Sequence, residues 1–367
     1  MTYIIGLLSV VFLGLAIMIV SKSMKLSKGI QIAEKEEDSP VDAANNLNAI
    51  GFLIFLVLGS IGATWSFLHS KPDLLPVAAS DHGLITDRMF WISMSVVVIA
   101  FFITNTLLFV FPFMYRYKKG RTATFYPVNH KLEIIWTVVP AVIMAVLVFS
   151  GFKVWRDITA KAPDNAVVIE VTGHQFGWYV RYAGNDDSKL GNNNYKLIDE
   201  TNSLGIDLTD EHSFDDFTAT EMHFPKGVPV LLKIKAQDVL HSVYLPYMRV
   251  KMDAVPGMPT KFWFVPNMTT DEMRYKTGNP DFNYKLNCTE VCGRGHFGMA
   301  MTVFVDTPEE YASWCKEQKP FLTVNPDYMA KVPEKLKSKA QKYISAPATT
   351  DSTQVGGAAA PASASLR

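Results

Sequence analysis

The sequence predicts a membrane-anchored all-β protein, in which N-terminal transmembrane helices precede an extracytoplasmic Greek-key sandwich or barrel. Two patterns carry this expectation. Up to residue 152 the hydrophobicity is gathered into four apolar blocks, each at least 18 residues long. From about Ile158 to Asp306 it breaks into short runs separated by Gly, Pro, Asn and Asp. A third observation bears on chemistry: one stretch, NCTEVCGRGHFGM, gathers Cys288, Cys292, His296 and Met299.

The apolar blocks cover residues 3–20, 50–68, 89–113 and 134–152. At about 1.5 Å of rise per residue, each is long enough for a bilayer core, and none shows the regular polar residues of a half-buried soluble helix. The first block has a rival reading as a cleaved signal peptide. It lacks a basic residue before the apolar run, and Ser21-Lys22-Ser23-Met24 is a poor cleavage site, so a retained helix is expected.

Four crossings then follow. Lys22, Lys25, Lys28 and Lys35 come after the first block, and Arg116, Lys118, Lys119, Arg121 and Lys131 lie between the third and fourth, which assigns both connections to the cytoplasm. The N-terminus and everything beyond Trp155 fall outside, in a bacterial periplasm or its equivalent, with the helices in the inner membrane. The chain carries 35 basic and 35 acidic side chains and no basic stretch interleaved with aromatics, so nothing points to a nucleic-acid partner.

Strand-like runs begin at Val167 (VVIEV), Gly177 (GWYVRY), Pro229 (PVLLKIKA), Thr260 (TKFWFV) and Met301 (MTVFVD). An amphipathic helix from Pro308 to Glu317 closes the domain, with Cys315 expected to pack as a small hydrophobe. Residues 185–216 form an insertion in which nine acidic side chains face only Lys189 and Lys196. It reads as a solvated surface loop, the sharper alternative being a docking surface for a basic haem protein. Residues 340–367 are almost devoid of bulky side chains and read as a flexible tail.

Thiolate, imidazole and thioether in one loop suit copper, because zinc sites rarely recruit methionine and calcium or magnesium prefers oxygen. Two cysteines can bridge two metals, whereas a blue mononuclear site needs only one. A disulfide between Cys288 and Cys292 is the bland alternative in an oxidising compartment, but it leaves His296 and Met299 unexplained. A bridged pair also needs a second imidazole. His241, in the apolar stretch DVLHSVYLP read as the end of a strand, is the candidate. His130, His174, His212 and His223 have no partners at ligand spacing and are expected to be structural.

The order DVLH, VKMDAVPG and CTEVCGRGH with a following methionine resembles subunit II of the haem-copper cytochrome c oxidases, which carries the binuclear CuA centre. GHQFGWYVRY and LEIIWTVVPA are similar to that family too, and the resemblance runs from about Thr86 to about Pro320. It implies an N-terminal extension with two helices at 1–85, a transmembrane hairpin at 86–157, a cupredoxin-like CuA domain at 158–320 and a C-terminal segment with its tail at 321–367.

The resemblance also implies roles. Cys288 and Cys292 would bridge two copper ions, His241 and His296 would give one imidazole to each, and Met299 a weak axial sulfur. Glu290 would offer its backbone carbonyl to the other copper and its carboxylate to a magnesium or manganese ion shared with catalytic subunit I. Phe176, Trp178 and Tyr179 fall in the family's aromatic region for electron entrance. Phe176 replaces the usual tryptophan there, so Trp178, on the same strand face by alternation, is the expected substitute, a packed core indole being the equal alternative. Met258 stands where arginine is frequent. Glu133, in HKLEIIW, matches a glutamate at the mouth of a proton-uptake path, although a carboxylate there also complements a helix N-terminus.

The implied function is electron transfer from a c-type cytochrome to CuA and on to haem in subunit I, where oxygen is reduced to water and protons are translocated. No Cys-x-x-Cys-His motif is present, so no haem is expected in this chain. The donor is then a separate c-type cytochrome or haem c domain, free or held in a supercomplex with a quinol-oxidising complex. Other oxidase subunits and membrane lipid complete the expected partners. Two rivals are a copper-free quinol oxidase subunit of similar shape and a copper chaperone. The intact ligand set opposes the first, and its closed character opposes the second.

Overall fold

The computed structural model describes residues 14–15, 17–22, 43–184 and 189–344. Three of its helices are long and apolar enough to cross a membrane: α1 (Ala43–Leu74), α2 (Asp81–Met114) and α3 (His130–Ile158). They contain the second, third and fourth apolar blocks, and the protein is membrane-anchored. Of the first block, residues 14–15 and 17–20 are helical, and the remainder lies outside the described residues. The start of α3 is fixed by a reciprocal cap. Asn129 Oδ1 accepts from Leu132 N at 3.1 Å, while Glu133 Oε1 accepts from Asn129 N at 3.3 Å.

The chain divides into two compact units, residues 1–70 with 95–133 and residues 71–94 with 134–367. In the first, Phe52 and Phe55 of α1 meet Phe109 of α2 at ring distances of 5.9 and 5.2 Å. The second unit holds two five-stranded sheets, the cupredoxin-like sandwich. In it β1 (Val167–His174), β2 (Gly177–Tyr182), β3 (Phe217–Ala219), β5 (Val230–Ala236) and β8 (Thr260–Phe264) lie in the order β3-β2-β1-β5-β8. The other sheet orders β4 (Met222–Pro225), β10 (Ala300–Asp306), β9 (Tyr284–Cys288), β6 (His241–Leu245) and β7 (Val250–Ala254). Pairs β1/β5 and β4/β10 are parallel, and the rest are antiparallel.

Alternation drives the sandwich. In β5, Val230, Leu232 and Ile234 turn inward while Lys233 is exposed, and each buried aliphatic chain of this kind contributes about 1.5–3 kcal/mol. The five expected runs became β1, β2, β5, β8 and β10. Strands β3, β4, β7 and β9 were not among the expected runs, and β3 and β4, of three and four residues, are too short for a period-two signal. His241 begins β6 instead of ending a strand, because the buried residues Val243 and Leu245 follow it. Helices α4 (Thr270–Thr277) and α5 (Pro308–Glu317) each start with a capping box, Thr269 with Glu272 and Thr307 with Glu310. Cys315 is buried in the main core, as expected of it.

The reading of 185–216 as a solvated loop is overturned for its described part. Leu204, Ile206, Leu208 and Phe214 form a second core with Phe321, Leu322, Val332 and Ala340, the last four lying on or beside α6 (Phe321–Val324) and α7 (Glu334–Ile344). Among the described residues, three of its acids have partners from elsewhere in the chain. Asp199 pairs with Lys331 at 2.9 Å and with the Tyr328 hydroxyl, Glu211 pairs with Lys339, and Asp216 lies 3.3 Å from Arg181 Nη1. The apolar residues of the insertion need a cover, and a distant part of the chain supplies it. Within the segment read as a flexible tail, 340–344 complete α7, and residues 345–367 lie outside the described residues.

The first turns of α2 belong to the same unit as the sandwich. Ser80 Oγ donates to Met248 O at 2.7 Å, and Arg249 grips Asp87 through two bonds of 2.7 and 2.9 Å.

Candidate metal centre

Three neighbouring strands bring the candidate ligands together. β9 ends at Cys288, the loop 289–299 leads into β10, and β6, which pairs with β9 through Val243 and Cys288, begins at His241. The His241 ring is fully buried. Its Nε2 lies 2.9 Å from Asp238 Oδ1, and its Nδ1 faces Cys288 Sγ at 3.9 Å. Cys288 Sγ donates to the carbonyl of Glu290 at 3.2 Å. Cys292 Sγ is 3.9 Å from Cys288 Sγ, 3.4 Å from His296 Nδ1 and 3.8 Å from Met299 Sδ. Ligand atoms of His241, Cys288 and Cys292 all fall within 4.8 Å of one another.

The group tests well as a metal site. A disulfide needs its sulfurs about 2.05 Å apart, and here both thiols are free at nearly twice that distance. The donors are sulfur, imidazole nitrogen and one peptide oxygen, the soft and borderline set that copper takes. Burial and the neighbouring Cys288 push the Cys292 thiol up to about 11. The Cys292 thiol therefore keeps its proton until a bound cation displaces it. Burial works to raise the Asp238 carboxyl, but bonds from His241 and from the N–H groups of Gln175 and Val239 together hold it below its ordinary value. An ionised Asp238 suits a partner that orients an imidazole.

The aromatic region differs from expectation. Phe176 is not on a strand; it occupies the turn joining β1 and β2, where His174 pairs with Gly177. Alternation from Phe176 to Trp178 therefore does not apply. Phe176 is 44% exposed and covers the loop at Gly293 and Gly295, while Trp178 is 6% exposed and sits in the core, edge-on to His241 at 6.0 Å. Tyr179 stacks on His174 at 4.1 Å.

Among the remaining histidines, His223 bonds Asp306 at 2.7 Å and lies between Phe304 and Trp314, and His130 bonds Glu133 at 3.2 Å. Two residues escaped sequence reasoning: Asp238 and Gln175. The Asp-x-x-His spacing in DVLH was a legible signal for the first. Gln175 had none, since its partners, Asp238 and Cys292, lie 63 and 117 residues away.

Comparison with known proteins bears on identity. Residues 167–306 match the family described as cytochrome c oxidase subunit II, periplasmic domain, and residues 70–154 match its transmembrane domain. The alternative cytochrome c oxidase subunit 2 of Bradyrhizobium diazoefficiens is 33% identical over 275 residues, covering 73% of this chain and 92% of that protein. Cytochrome c oxidase subunit 2 of Synechocystis is 29% identical over 289 residues, covering 74% and 83%. The crystal structure of the periplasmic domain of cytochrome oxidase subunit II from Bradyrhizobium japonicum aligns at 22% identity and a TM-score of 0.28, covering 42% of this chain and 95% of that one. With a close-set His, Cys, Cys group in the matched periplasmic domain and apolar helices in the matched transmembrane part, the chain belongs to the cytochrome c oxidase subunit II family and is a subunit of a haem-copper terminal oxidase.

Proposed function

We propose that this chain carries a binuclear CuA centre that takes electrons from a c-type cytochrome or haem c domain outside the membrane. They pass to haem in catalytic subunit I, where oxygen is reduced to water and protons are translocated. One observation carries the reading: two unjoined thiols stand 3.9 Å apart, and each has its own imidazole nitrogen, Nδ1 of His241 for Cys288 and Nδ1 of His296 for Cys292. When bound, copper would supply a one-electron redox group, and the two thiolates of Cys288 and Cys292 would hold it. Met299 would offer its thioether and Glu290 its peptide oxygen. The full set of six residues favours this reading over the copper-free quinol oxidase type.

The protein's own residues prepare the centre. Asp238 holds His241 Nε2 and so leaves Nδ1 for the metal side of the ring. The sandwich fixes the sulfurs and keeps water from the buried His241. Phe176, exposed over the loop, is the surface through which a donor approaches, and Trp178 supports His241 from within.

Glu290, which is half-buried, would give its carboxylate to a magnesium or manganese ion shared with subunit I. Glu133 stands at the cytoplasmic end of α3, where it caps the helix and receives protons bound for subunit I. The sandwich lies in the periplasm and the helices in the inner membrane. Purified full-length chain loaded with copper tests the reading by its absorption. A purple species is expected; a blue mononuclear spectrum or a colourless, copper-free product contradicts it.

A further inference from the structure

Two segments distant in sequence supply the centre: the start of β6 with His241, and the loop from Cys288 to Met299. The β1–β2 turn lies against both. Gln175 bonds to each. Its backbone N–H donates to Asp238 Oδ2 at 2.7 Å, and the other oxygen of Asp238 lies 2.9 Å from His241 Nε2. Its side-chain Nε2 donates to the carbonyl of Cys292 at 2.6 Å.

Neighbouring residues are shaped for the same contact. Gly173 backs onto His241 so closely that a Cβ there would lie 2.9 Å from the ring, and a Cβ on Gly295 would lie 2.6 Å from the Phe176 ring. Gly293 has a φ of 129°, which side-chain-bearing residues rarely adopt, and the space above it is filled by Gln175 and Phe176. The Cys292 carbonyl belongs to the peptide that joins Cys292 to Gly293. Holding it fixes the direction in which the Cys292 thiol leaves the backbone.

We propose that Gln175 is a positioning residue that ties the two halves of the centre together, its backbone N–H acting through Asp238 on His241 and its side-chain amide acting on the loop through the Cys292 carbonyl. This rests on the reading of the loop as a metal centre. A side chain that only filled space would be replaceable by glutamate, which has nearly the same shape. One that must donate would not, because an ionised carboxylate has no hydrogen to offer a carbonyl oxygen.

The test uses the full-length chain with Q175E and Q175A. In metal-free protein, amide hydrogen exchange across residues 289–298 reads the tie without any copper. In copper-loaded protein, the hyperfine pattern and the rate of copper loss to a chelator read its effect on the centre. Both variants are expected to speed exchange and copper loss at least about fivefold, the scale of one hydrogen bond, and to alter the hyperfine pattern, with exchange in β5 and β8 unchanged.

Q175E behaving like the unaltered chain overturns the proposal. So does faster exchange spread evenly over the sandwich, or faster loop exchange with an unchanged copper signature. Fewer than two coppers in the unaltered chain contradicts the CuA reading, and the metal-free exchange result then decides the tie alone.

Discussion

Cys288 Sγ and Cys292 Sγ stand 3.9 Å apart, each with a different histidine nitrogen within 3.9 Å. In the proposed copper pair, neither sulfur could be replaced without removing a bridge. We expect C292S, and equally C288S, to abolish the purple spectrum and to leave at most one copper per chain. The sandwich should survive with its thermal midpoint lowered by about 5 °C, since each thiol is one small group of the large main core and serine nearly keeps its volume. Absorption and metal analysis of the two variants check this. A retained purple species in either would mean that one thiolate suffices.

Phe176 and Trp178 separate surface from core. Phe176→Ala removes the exposed ring over Gly293 and Gly295 and is expected to slow reduction by a c-type donor about tenfold, with the copper spectrum nearly unchanged. Trp178→Phe takes volume from a buried site and is expected to cost about 2 kcal/mol of stability, leaving the donor's apparent KM as it was. Stopped-flow reduction and thermal unfolding of both variants distinguish the roles. Donor kinetics that respond to Trp178→Phe alone would reverse the assignment.

Asp199 and Glu211 of the insertion pair with Lys331 and Lys339 of the C-terminal segment. Asp199→Asn and Glu211→Gln are each expected to leave the salt dependence of donor reduction unchanged and to loosen residues 321–344 only slightly, because exposed ion pairs are screened by water and salt. Leu322→Ala, at a fully buried position of the second core, should cost about 2–5 kcal/mol in the same region. Hydrogen exchange across 189–216 and 321–344 measures both. A steep change in salt dependence with Asp199→Asn would restore the acidic docking surface.

Asp216 sets a pH dependence. Burial raises its carboxyl to about 7 from an ordinary value of 3.8, against the pull of Arg181 and the Gly191 N–H, with Asp215 and Glu170 adding to the rise; Lys235 pairs with Glu170 on the same face. Between those two values the folded chain keeps a proton that the unfolded chain has lost. Stability from this group is therefore greatest near pH 4, falls as pH rises to about 7, and is level above, a span on the order of 1–4 kcal/mol. Asp216→Asn, neutral throughout, should flatten that slope. Thermal midpoints of the two proteins from pH 5 to pH 8 give the difference, and a difference that grows with pH in favour of the unaltered chain would contradict it.

The legible parts of the molecule were those whose signal is local. Cys288, Cys292, His296 and Met299 lie within 12 residues, so their convergence needs only a loop, and the long apolar blocks announce helices by length alone. His241 was readable from the motif around it. What sequence could not give depends on surfaces meeting across the fold. Leu204, Ile206 and Leu208 alternate too briefly to mark a strand, and their cover, Leu322 and Ala340, lies more than a hundred residues further on. Only the expected shared strand face of Phe176 and Trp178 failed, because a turn, which breaks period-two alternation, falls between β1 and β2.

The most direct measurement is the copper content of the purified full-length chain, separated from other copper-bearing subunits, taken with the hyperfine pattern of its bound metal. Two copper atoms per chain with one unpaired electron shared equally between them is the expected result. One atom per chain, or none, would contradict the bridged pair of Cys288 and Cys292.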